Sequence, residues 1–249
     1  MTSSVLKYCY TDLKTHHLIE SQLNLNKSLD EIIIICVHLI WTFPTNKPDL
    51  LRRDQILILF NLIQSHNLPI DYLVFFNYLK AKYFFIVEQK QVESMNLLLV
   101  AKNLLYDPLC KCSSISLFLR ACGAINKNDP TNIETQVMES IINNDIGVCY
   151  MKMGLHRLAI SMFTNVLIQQ KNFYQKNEHQ NIVYTMRHLA ESMQHCGEIT
   201  SSINTMKQSL NIANLVYDET NKTHQEYQLI YDSLKIHFDN QSSTNSKTF

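Results

Sequence analysis

The chain has 249 residues, with Lys+Arg and Asp+Glu both at 22, so its formal net charge is zero. That balance argues against a general nucleic-acid binder or a polybasic membrane anchor, both of which need a basic excess to meet phosphates. Only 4 Gly and 5 Pro accompany a 46% hydrophobic fraction, which disfavours turn-rich β architectures and favours long helices around a real core.

In chain order, the first expected helix covers about Ser4 to Leu23. The second opens at Ser28-Leu29-Asp30-Glu31, a capping box in which Ser28 and Glu31 satisfy each other's backbone donors, and runs through the apolar stretch Ile32–Trp41. This stretch is apolar nearly all round and only half the length needed to span a bilayer, so it reads as a buried helix, with no membrane insertion. After Pro48-Asp49 a third helix runs from Leu50 to Ser65, its apolar face made by Ile56, Leu57, Leu59, Phe60 and Ile63. A fourth follows Pro69 to about Glu88, with Tyr72, Phe75, Phe76, Leu79, Tyr83 and Ile86 on one stripe. A fifth, Val92 to Tyr106, stops at Asp107-Pro108. A shorter helix, Ser114 to Ile125, precedes the polar turn at Asn126–Pro130.

Helices are then expected at about Asn132–Met153, His156–Gln170, Gln180–Cys196, Ile199–Tyr217 and His224–Phe238. The last residues, 240–249, are Ser/Thr/Asn-rich with little to bury, and are expected to be disordered. Short polar turns between successive helices imply antiparallel hairpins stacked side by side.

The second half repeats itself. Gly147, Tyr150, Gly154, Ala159 and Phe163 return as Ala190, Met193, Gly197, Ser202 and Met206, at a constant offset of 43 residues. The stretch Asn144–Phe163 resembles a tetratricopeptide repeat (TPR): a small residue on helix A, a bulky one three positions on, a Gly at the turn, then a small residue and an aromatic on helix B. The resemblance is best over 139–238. The longer period, against the usual ~34 residues, places an insertion at Lys171–Gln180. A further offset assigns Ser233 and Ile236 the small and bulky helix A roles in a lone closing helix. Upstream, Ala81, Phe84, Leu98 and Ala101 suggest a degenerate hairpin across Asp71–Tyr106. The consensus Trp and the Pro after helix B are absent.

The resemblance implies an all-α fold: an α-solenoid of antiparallel helix hairpins, a TPR-like superhelix of about 10–11 helices. Residues 1–130 form an N-terminal region of degenerate hairpins, and 131–239 the repeats with their capping helix. It also implies that a partner lies in the groove lined by the A helices. The two-carboxylate clamp of one TPR subset is missing, since its positions hold Asn144 and Val148, then Arg187 and Glu191. The groove would instead present Asn144, Asp145, Lys152, Tyr184, Arg187, His188 and Glu191, a mixed polar surface for recognition through charge and hydrogen bonds.

Seven scattered Cys and the lack of an apolar leader after Met1 read as free thiols in the cytoplasm or nucleus. Cys110-Lys111-Cys112 has metal-like spacing but no second pair with ligand spacing, and His16-His17 and His195-Cys196 are single pairs, so neither a metal site nor a cofactor is expected. No phosphate loop, nucleophile elbow or zinc-protease helix occurs. The expectation is a non-catalytic protein-binding scaffold or adaptor, a subunit of an intracellular assembly, its apolar N-terminal half suited to an obligate hetero-complex. The alternative is a regulator that changes shape on binding a peptide.

Overall fold

Helix after helix follows from a sequence in which glycine and proline fall almost wholly outside the apolar periodic segments. The computed structural model describes residues 29–44, 49–110, 115, 119, 133–174, 178–217 and 221–245, and among them finds nine α-helices and no strand. The helix expected at Ser4 to Leu23, residue Ser28 of the capping box, and Cys112 of the Cys pair lie outside the described residues. So does most of the helix expected at Ser114 to Ile125, of which Ile115 and Leu119 are described, both helical and buried. The chain divides into two compact units, Met1–Lys111 and Cys112–Phe249.

In the first unit α1 spans Leu29–Trp41, α2 Leu50–Gln64, α3 Ile70–Ile86 and α4 Gln91–Leu105. Apolar residues nearly all round α1 bury Ile32, Ile33, Cys36, Leu39 and Ile40. The α2 helix starts at Asp49, whose carboxylate accepts from the Arg52 amide at 3.0 Å. Its inner face is Ile56, Leu59, Phe60 and Ile63. Leu57, expected on that face, is instead exposed, because it lies well off the arc of the other four at 3.6 residues per turn. Phe60 meets Phe76 and Tyr83 edge to face, at 5.5 and 5.4 Å between ring centroids. The Tyr83 hydroxyl donates to Glu88 at 2.7 Å, and Arg53 Nε lies 2.7 Å from the same carboxylate oxygen. Helices α3 and α4 pack as a pair, burying Ala81, Leu98 and Ala101. Their turn puts Gln89 at φ 55, a left-handed conformation usually left to glycine.

In the second unit α5 spans Glu134–Lys152, α6 His156–Phe173, α7 Gln180–His195, α8 Ile199–Val216 and α9 Lys222–Asn245. Each packs on the next, and α7 also touches α5. The α5–α6 and α7–α8 turns carry Gly154 at φ 76 and Gly197 at φ 80. Both close in the same way: the Leu155 amide donates to the Tyr150 carbonyl and the Glu198 amide to the Met193 carbonyl, each at 2.9 Å. The α3–α4 turn closes one residue later, the Lys90 amide donating to the Phe84 carbonyl at 2.8 Å. Between α7 and α8, the Ser202 hydroxyl donates to the Ala190 carbonyl at 2.7 Å, and Ser209 donates to Val183 at 3.0 Å. Such short reach between backbones needs small residues at the crossing.

Helix α9 runs to Asn245, past the Phe238 end expected from its apolar pattern, since no Gly or Pro intervenes to stop it. Tyr227 and Leu234 are its buried anchors, while Ser233 and Ile236 are exposed.

Candidate partner-binding face

The seven groove residues sit on two first-of-pair helices, Asn144, Asp145 and Lys152 on α5 and Tyr184, Arg187, His188 and Glu191 on α7. Asn144, Asp145 and His188 are buried rather than displayed, because α5 and α7 are each enclosed by neighbouring helices. Lys152 and Tyr184 are exposed, and Arg187 and Glu191 half-buried.

His188 organises the α7 part. Its ring stacks on Phe163 of α6 at 5.8 Å and meets Tyr184 edge-on at 4.5 Å. Its Nδ1 lies 3.5 Å from Glu191 Oε2, the outer limit of a hydrogen bond, and Nε2 has no partner among the described residues. Burial pushes the imidazole below its ordinary range. Glu191 and Asp145 pull the other way, and Arg187 adds to the depression. The Glu191 carboxyl is held below the usual carboxylate range, first by its contact with His188 and then by the charges of Lys152 and Arg187, against its own partial burial.

Arg187 reaches toward α9. Its Nη2 lies 3.3 Å from Glu226, and its guanidinium lies 5.6 Å from the centroid of the Tyr227 ring. Its Nε, like Asn144 Oδ1 and Ser192 Oγ, is buried without a hydrogen-bond partner among the described residues. The structure thus links residues of α5, α7 and α9 through one electrostatic cluster. Glu226 and Tyr227 were not singled out in the sequence. Their one available signal was position, a repeat offset beyond Val183 and Tyr184.

The insertion at Lys171–Gln180 holds a second unforeseen feature. Phe173 extends α6 and is buried with Tyr174, their rings edge to face at 4.5 Å. The His179 ring stacks on Tyr174 at 3.6 Å, and its Nδ1 accepts from the Asn181 amide, capping α7. The Asn181 side chain then donates to the Tyr174 hydroxyl at 2.7 Å. Aromatic residues in a polar stretch were the signal for this clasp.

No family model matches the chain, and no curated protein matches it either. At the pair His156 and His195, the rings stack at 4.4 Å across the α6 start and the α7 end. Among the described residues no group of three or more His, Cys, Asp or Glu is placed to hold a metal ion, and no helix is long and apolar enough to cross a membrane.

Proposed function

We propose that this chain is a non-catalytic, protein-binding subunit of the cytoplasm or nucleus, and that its second unit is TPR-like, with α5–α6 and α7–α8 as repeats and α9 as the closing helix. The supporting geometry for the repeats is the recurrent close crossing, with Gly147 under Phe163 in one pair and Ala190 bonded to Ser202 in the next.

The observation that carries the binding reading is the exposure of Lys152 on α5 and Tyr184 on α7, with Arg187 and Glu191 half-buried on the same α7 helix. Tyr184 offers an aromatic anchor and Lys152 a cation at the rim. The partner is therefore a protein segment with an apolar surface for Tyr184 and a carboxylate near Lys152.

A photo-crosslinker placed at Tyr184 should capture one protein in the native cell. The same group at Leu215, which is exposed on α8, should not. Lys152→Glu and Tyr184→Ala should weaken co-purification of that protein while both variants stay folded and melt cooperatively, within about 5 °C of the parent. Equal labelling from both positions, or full retention of the partner by both variants, would remove the basis for this reading.

A further inference from the structure

The outer face of α9 is uncovered. Tyr227, Ile230, Tyr231 and Leu234 pack into the core with Val183, Ala190, Met206, Leu210 and Ala213. On the far side lie Leu229, 70% exposed, Ile236, 61% exposed, and exposed Ser233 between them. At about 100° per residue these three share an arc of roughly 60°.

One repeat offset earlier, the same positions are Met186, Ala190 and Met193 of α7. That face seats α8: the Ser202 hydroxyl bonds the Ala190 carbonyl, and the Thr205 hydroxyl lies 3.7 Å from the Met193 sulfur. In α5 the corresponding small residue is Gly147, which takes the Phe163 ring. Twice, then, a small residue flanked by larger ones receives a helix. In α9 the arrangement occurs a third time and faces solvent.

We propose that this face seats the α9 helix of a second copy of the chain, in an antiparallel two-fold pair. The stripe is its own complement when reversed: Leu229 of each copy comes over Ile236 of the other, and Ser233 lies at the crossing, where its lack of bulk lets the backbones approach. The flanking charges select the same direction. Asp232 and Lys235 are both exposed on one side of the stripe, and reversal sets Asp232 of each copy beside Lys235 of the other. A parallel two-fold pair would put the two copies' Asp232 and Lys235 on opposite flanks of the stripe, where they could not meet.

Sedimentation velocity of the full chain over a concentration series tests this. The expected result is a mass rising from one copy to two. Ile236→Asp, at an exposed position, should abolish the rise without lowering the melting temperature measured at dilutions where the parent is a single copy. Asp232→Lys should weaken association about fivefold, in keeping with a rim charge pair. The exchange Asp232→Lys with Lys235→Asp should restore it. A monomer at every concentration, a dimer that Ile236→Asp leaves intact, or a charge exchange that fails to restore association would each overturn the proposal.

Discussion

A β-carbon on Gly147 would stand 2.6 Å from Cε1 of Phe163 and 3.0 Å from Cδ1 and Cζ of the same ring. Phe163 is fully buried, and its ring stacks on His188, so it cannot retreat without moving α7. Gly147→Ala gains about 1 kcal/mol of helix propensity and loses about 1–3 kcal/mol to overpacking. The variant should therefore be less stable by about 1 kcal/mol in urea melts, and Phe163→Leu in the same chain should recover part of the loss. A more stable Gly147→Ala would show that the crossing is loose.

Gly154 and Gly197 fail for a different reason. A β-carbon there meets nothing within 4 Å, but their φ values of +76 and +80 are strained for any L side chain. Gly154→Ala and Gly197→Ala should each cost about 1 kcal/mol, and Asn at either position should cost less than Ala. Denaturant midpoints that rank Ala above Asn would contradict the backbone explanation.

His188 links stability to pH. Its folded pKa lies below the ordinary 6.5, so below that value the unfolded chain binds the proton first. Stability should fall as pH drops through 6.5 toward the lower folded value, then level off for this group. His38 and His156 are shifted in the same direction and act with the same sign. Glu191, depressed below 4.5, contributes stability above that value that is lost as pH falls through its folded pKa. His188→Phe keeps a ring against Phe163 and removes the imidazole, so it should lose less stability between about pH 7 and about pH 5 than the parent. Parallel stability curves for the two proteins would argue against a buried, neutral His188.

In the first unit, Tyr83 is held by Glu88 and Arg53, and burial, together with donation to Glu88, pushes its hydroxyl pKa up to about 12. Tyr83→Phe keeps the ring against Phe60 and removes the bond between hydroxyl and carboxylate. A loss of about 1 kcal/mol is expected by chemical denaturation. No change would mean that water replaces the hydroxyl without cost.

The helix order was readable from periodicity and punctuation, and most ends agree within a few residues. The site was only partly readable. Asn144 and Lys152 are both polar and both on α5, yet one is buried and the other exposed, because enclosure by other helices decides that. Ser233 and Ile236 show the converse: the repeat offset assigns them the roles of residues that receive a helix, and in the structure both are exposed.

By itself the sequence determined where helices form, where they turn at Gly154 and Gly197, and that small residues recur at a fixed spacing, since these depend on local backbone preference and side-chain volume. Only the tertiary structure decided that His188 is stacked and short of a full hydrogen bond, that Arg187 bridges to Glu226, and that Tyr174 clasps His179. Those relations depend on how separate helices rotate about their axes when they pack, which the order of residues along one helix does not specify.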